Sequence, residues 1–254
     1  MKKILKTFSL LVALAAICTL GLNTASAQDT AAKSDSTKSK LMVGVRAGVN
    51  ASRFVINNST EVTNFTPGFQ AGAFVKYSFN DWVAVALEAA WSQSGAIRLP
   101  YWSQGSGAVG TGDLTAHNVQ FNPVLQCKIP VLSVYEPYFF VGPSFNVNYY
   151  NSFSYSGLVG STPFQRNIDV TNSLQPLDFG LLVGAGVDFN LRFAVLTIDA
   201  RYRHGLSDIR NKNLGDPFAN ARSGQTEGAY IGNETWRSRQ FSVQVGLGFP
   251  IGGK

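Results

Sequence analysis

The sequence predicts an all-β fold, an eight-stranded antiparallel up-and-down β-barrel that crosses a membrane. Three observations carry that prediction. Apolar residues alternate with small or polar ones at period two through eight segments, and the gaps between segments alternate long and short. Only 14% of the 254 residues are charged, whereas a soluble domain runs near ~25%. Eighteen Phe, nine Tyr and four Trp exclude disorder.

The first element is a leader. Lys2, Lys3 and Lys6 form a positive start, an apolar stretch runs from Phe8 to Leu22, and Ala25-Ser26-Ala27 supplies a small-x-small cleavage pattern. Residues 1–27 therefore read as a signal peptide cut after Ala27. The three leader lysines reduce the formal charge of +6 to +3 for the remainder, which is no nucleic-acid footprint. Cys18 follows Ile17 rather than the small residue that lipid attachment needs. Cleavage leaves Cys127 as the only cysteine, a small apolar wall residue with no intrachain disulfide partner. Residues 28–40 (QDTAAKSDSTKSK) lack any bulky apolar side chain and read as a flexible periplasmic linker. Its Asp29-Thr30-Ala31 and Asp35-Ser36-Thr37 triplets are possible O-glycosylation acceptors, with plain linker the alternative reading.

The barrel is assigned to residues 41–254, with strands at Met42–Ser52, Phe69–Phe79, Trp82–Ser94, Asn118–Ile129, Tyr138–Tyr150, Leu177–Phe189, Phe193–Ser207 and Gln240–Ile251. In the first, Val43, Val45, Ala47, Val49 and Ala51 share one face, and Gly44, Arg46, Gly48, Asn50 and Ser52 the other. The later segments repeat the split. Each is as long as a tilted bilayer-crossing strand, ~9–11 residues. Long gaps fall at Arg53–Gly68, Gly95–His117, Asn151–Pro176 and Asp208–Arg239; short ones fall at Asn80-Asp81, Pro130–Pro137 and Asn190–Arg192. Short periplasmic turns and longer outer loops follow that order.

A soluble lipocalin-like barrel alternates in the same way but turns its apolar face inward. An eight-stranded interior has room only for side chains or one small ligand. The bulky apolar set would overfill it, whereas the Gly, Ser, Asn and Ala set fits. That second set is also too poor in Lys and Glu for a solvent-facing wall. Aromatics gather at both strand ends: Tyr77, Phe79, Trp82, Phe139, Phe189 and Phe249 at one, and Phe69, Trp91, Phe121, Tyr149 and Tyr202 at the other. Membrane-interface girdles have this form. The apolar face is therefore assigned to lipid.

The inward face carries Arg46, Lys76, Lys128, Arg201 and Arg203 against Glu88, Asp178, Asp188 and Asp199. Counting from the short turns sets Lys76 opposite or diagonal to Glu88, and Asp178 near Arg203. These nine charges read either as a structural plug of ion pairs or as the lining of a pore. Catalytic chemistry is poorly supplied. His117 falls in or beside a long gap, and alternation sends His204 and Ser207 to opposite faces, which breaks a Ser/His/Asp grouping with Asp208. No metal-ligand spacing and no cofactor motif is present. Gly180, Gly184 and Gly186 lie in a period-two strand, where glycines make room in a crowded lumen.

Several runs carry a family likeness. Pro137-Tyr138-Phe139-Phe140-Val141-Gly142-Pro143-Ser144, Ala200–Ser207 (ARYRHGLS), Val43–Asn50 (VGVRAGVN), Glu88–Gly95 (EAAWSQSG) and Gly180–Phe189 resemble, in order, segments of the PorT-like outer-membrane β-barrel family of the Bacteroidetes. The resemblance covers nearly everything after residue 40. It implies an outer-membrane barrel, in a family whose founding member is linked to protein secretion. The chain departs from the usual aromatic barrel terminus by ending in Pro250-Ile251-Gly252-Gly253-Lys254. The expectation is a monomeric, non-enzymatic barrel in outer-membrane lipid, with extracellular loops and a plugged lumen. Its role would be structural or an interaction through loops that carry Tyr101, Trp102 and Trp236, as an accessory of a secretion or transport assembly. The alternative is a small channel or ligand-uptake pore lined by the mixed charges.

Overall fold

The computed structural model describes residues 40–56, 64–102, 109–129, 134–159, 162–191, 193–209 and 235–251. The leader and all but the last residue of the linker lie outside them. Nearly everything described is strand: β1 (Leu41–Ile56), β2 (Thr66–Ser78), β3 (Val83–Trp102), β4 (Val109–Lys128), β5 (Tyr135–Val159), β6 (Thr162–Asp169), β7 (Leu177–Asn190), β8 (Val195–Gly205) and β9 (Trp236–Ile251). The order β4-β3-β2-β1-β9-β8-β7-β5 is closed by pairing of β4 with β5. Every pairing is antiparallel, so eight strands form a barrel without free edges.

Alternation fixes which face each side chain takes. Val45, Val49, Phe69, Val75, Leu87, Phe121, Val147, Ile198 and Val243 are exposed on the outer wall, while Arg46, Asn50, Gln70, Lys76, Glu88, Gln120 and Gln244 are buried inside. In water this would be an inverted protein. In a bilayer, lipid covers the apolar wall, and the closed ladder satisfies the backbone. Asn80 shapes one short turn, its Oδ1 accepting the backbone N–H groups of Trp82 at 2.9 Å and Val83 at 2.7 Å.

The structure corrects two local expectations. The gap Gly95–His117 is mostly strand, because β3 continues to Trp102 and pairs with β4 from Val109. Tyr101 and Trp102 are therefore strand residues, and Trp236 begins β9, buried. The gap Asn151–Pro176 holds the outer half of β5 and a ninth strand, β6, which pairs with β5 alone from Ser152↔Asp169 to Val159↔Thr162. The cause is a bulge: His117 faces Tyr150 while Asn118 faces Asn148, so Tyr149 is an extra residue. One extra residue swaps the two faces. Beyond it the odd-numbered Asn151 and Phe153 point inward, which breaks the period-two pattern.

The inner half nearest the short turns is filled by an aromatic layer. Tyr138 and Phe140 from β5 pack with Ala86, Val124 and Leu182, and Phe74 is buried on the same side. Glycines face these rings. A Cβ on Gly184 would lie 2.3 Å from Cζ of Phe140 and 2.5 Å from the Ala200 carbonyl oxygen; on Gly186 it would lie 2.6 Å from the Tyr138 ring. Gly246 is roomier, its nearest neighbour 3.3 Å away. Gly184→Ala is therefore expected to destabilise the barrel by about 1–3 kcal/mol, and Gly246→Ala by clearly less. Urea unfolding followed by gel migration of unheated samples measures both, and equal losses would contradict this packing.

Candidate functional site

The inward charges gather into three groups along the barrel axis. The central group joins six side chains from five strands. Glu88 of β3 accepts hydrogen bonds from Arg46 of β1 at 2.7 Å and from Arg201 of β8. Arg201 also donates to Asp199, which lies 3.7 Å from Arg46 and accepts the Tyr138 hydroxyl at 3.2 Å. Beside it Lys76 pairs with Asp188, whose other oxygen accepts from Thr197 at 2.9 Å. Three cations thus meet three carboxylates, and each of the six is almost wholly buried. Like charges left over in so small a lumen would carry a heavy desolvation cost, so the balance is a condition for burying the group at all.

The aromatic layer supports these cations from beneath. The Arg46 guanidinium lies 4.4 Å from the Phe74 ring centre, that of Arg201 lies 4.8 Å from Phe140, and the Lys76 ammonium lies 5.6 Å from Tyr138. Such contacts add to the ion pairs when desolvated. The facing glycines let the rings reach this position.

The second group lies toward the long hairpins. Arg203 pairs with Asp178 at 2.9 Å and donates to Ser144 at 2.9 Å and Ser238 at 2.6 Å. Ser207 and Ser238 donate to the two oxygens of Asp178 at 2.7 and 2.6 Å. Between the two groups runs an uncharged layer in which Gln120 donates to Gln240 at 3.0 Å, and Gln240 donates onward to Ser92 at 3.2 Å and Gln70 at 3.4 Å. The third group is at the opposite rim, where Lys128 meets Glu136 at 3.2 Å and Asn190 donates to Glu136 at 3.1 Å.

All nine inward charges singled out in the sequence lie in these groups. Asp178 does pair with Arg203, although the register sets Arg203 opposite Leu182 and the long guanidinium side chain covers the rest of the distance. Register makes Lys76 diagonal to Glu88, opposite Ala86, yet Lys76 crosses the lumen to Asp188, 112 residues away. Glu88 is held instead by Arg46 and Arg201, one on each oxygen. Glu136 was hidden in what read as a turn, although β5 begins before it, at Tyr135. The inward aromatics were legible only as strand residues of the minority parity.

The histidines and Ser207 do not converge. His204 Nδ1 lies 3.2 Å from the Tyr202 hydroxyl on the outer wall, while Ser207 is bound to Asp178 inside. His117 belongs to β4 rather than a loop and stacks on Trp91 at 5.8 Å, part of a cluster in which Trp91 Nε1 donates to the Tyr149 hydroxyl at 2.9 Å. Among the described residues no three His, Cys, Asp or Glu side chains are arranged to hold a metal.

The Arg203 group borders a cavity of about 20 Å³ between Asn118, Asn146, Asp178 and Arg203, room for a water molecule. Inward of it lie the Gln layer and the central ion pairs.

No curated protein matches the chain. Solved structures similar to it include the outer membrane protein OprG from Pseudomonas aeruginosa, at 14% identity, TM-score 0.43, covering 84% of this chain and 96% of that one. The Neisserial surface protein A is similar at 13% identity, TM-score 0.41, with 82% and 97% covered. Ail, the attachment invasion locus protein of Yersinia pestis, is similar at 16% identity, TM-score 0.38, with 83% and 99% covered. Residues 26–211 match the family described as outer membrane protein beta-barrel domain, which is most of the sequence, and the chain belongs to that family of the cell outer membrane.

Proposed function

We propose that this protein is a non-conducting outer-membrane barrel whose nine lumen charges are structural and whose task is interaction through its outer hairpins. The observation that carries the reading is the central network of Arg46, Glu88, Asp199 and Arg201 seated on Tyr138, Phe140 and Phe74. It supports a closed lumen, because every charge in it is already engaged and the cations sit directly on the rings below. In this reading the leader is cut after Ala27, residues 28–40 are a periplasmic tether, and the β3–β4 and β5–β6 hairpins project outside. The PorT-like resemblance supports an accessory place in a secretion or transport assembly, with the barrel itself monomeric.

The cavity beside Arg203 and Asp178 favours a second reading, a narrow pore that opens when the inner network rearranges. Unpartnered acceptors at Asn118 and Asn146 border it and suit water. Single-channel recording of the folded protein in planar bilayers separates the two. The first reading expects silence from the wild type. Discrete steps abolished by Arg201→Ala would replace it with the second.

A structural role also fixes a stability pattern. Glu88→Ala leaves Arg46 and Arg201 buried with too few acceptors and is expected to cost about 3–5 kcal/mol. Lys128→Met breaks only the partly exposed rim pair and is expected to cost about 1 kcal/mol or less. Equilibrium unfolding in detergent micelles measures both, and a Glu88→Ala barrel as stable as wild type would contradict the role.

A further inference from the structure

We infer that the outer wall of β1, β8 and β9 binds the phosphorylated headgroup of an outer-leaflet lipid through Arg53, Arg237 and Arg239. The placement follows from register. Ser52 and Phe54 on β1, and Trp236, Ser238 and Gln240 on β9, point inward: Ser52 bonds Gly95, Ser238 bonds Arg203 and Asp178, and the other three are buried. Arg53, Arg237 and Arg239 have the opposite parity and project from the wall. Arg53 and Arg239 are direct cross-strand partners, Arg237 lies two residues on beside Val55, and His204 of β8 faces Arg239.

Two like charges directly opposite on one face destabilise a strand pair. Here a third cation sits diagonally, and among the described residues no carboxylate lies within ion-pair distance of any of the three. The Nε atoms of Arg53, Arg237 and Arg239 are all buried without a hydrogen-bond partner. The sheet therefore holds a basic cluster that nothing in the described chain neutralises.

What lies beneath the cluster names the occupant. Phe65, Phe241 and Tyr202 form a continuous row on the wall, with ring centres 5.9 Å apart for Phe65–Phe241 and 4.6 Å for Phe241–Tyr202. Phe65 and Phe241 are exposed, and the Arg53 guanidinium lies 4.7 Å above the Phe65 ring. An aromatic row marks the membrane interface. Cations one step further from the bilayer centre stand where headgroup phosphates are, with acyl chains against Phe65, Phe241 and the valines below. Arginine's planar fork matches a phosphate's paired oxygens. A soluble anion would use the arginines but has no use for the row of rings, and this selects the lipid.

The test is binding of bisphosphorylated lipid A and of fully dephosphorylated lipid A to the folded protein in detergent, by native mass spectrometry. At least a tenfold preference for the phosphorylated lipid is expected, abolished in the Arg53→Gln/Arg239→Gln double variant while unheated gel migration stays that of a folded barrel. Equal binding of the two lipids by wild type, or an undiminished preference in the variant, would overturn the assignment. Should the variant fail to fold, the wild-type comparison of the two lipids decides. A hundredfold excess of inorganic phosphate is expected to leave the lipid in place; full displacement would make this a soluble-anion site and overturn the lipid as occupant.

Discussion

Glu88 holds the interior together. It lies on β3 and accepts from Arg46 on β1 and Arg201 on β8, residues 42 and 113 positions away. That single carboxylate ties three strands of a closed sheet across the lumen, and its two cations are shared with Asp199. Burying any member alone would be prohibitive, whereas three cations with three carboxylates, each hydrogen-bonded, bring the cost within reach of the surrounding contacts. The rest of the interior follows from that constraint. Tyr138, Phe140 and Phe74 must lie beneath the cations, so Gly184, Gly186 and Gly44 must stand opposite the rings. The wall needs no such matching, since lipid accepts any bulky apolar side chain.

The two faces therefore obey different rules. Outside, the demands are apolarity over the bilayer span and aromatic rings where that span ends. Inside, volume and charge must both close in a space only a few side chains wide. Between those two regimes lies the rim above the aromatic girdle. Arg53, Arg237 and Arg239 occupy that rim, where a side chain can be charged without entering either the plug or the hydrocarbon.

Period-two alternation made the barrel legible, because each of eight segments repeats the same inward and outward sets. The Asp178–Arg203 pair was anticipated by counting across the short turn between β7 and β8, although the register sets Arg203 opposite Leu182 and only the length of its side chain closes the gap. The Lys76–Asp188 pair was not, because it spans the lumen and depends on closure of the barrel, which no local register encodes. The outer half of β5 was missed for a different reason. The bulge at Tyr149 swaps the faces, so Phe153 looks misplaced in a strand continued from Phe145. Arg53, Arg237 and Arg239 lay in or at the edge of segments read as loops, where a charge carries no facing information. Only the extension of β1 and β9 past the membrane gives those residues a side.

The central claim is that water entering from either end stops at the charge network. Single cysteines along the inward face of β3 test it most directly: Ala86→Cys, Ala90→Cys and Ser94→Cys, each in a Cys127→Ser background, labelled from one side of a sealed vesicle with a membrane-impermeant thiol reagent. The account predicts that position 94 labels only from the hairpin side and that position 86, beside Val124 and Tyr138, labels from neither. Labelling of position 86 from the hairpin side would mean a continuous aqueous path past Glu88 and would contradict the plugged lumen.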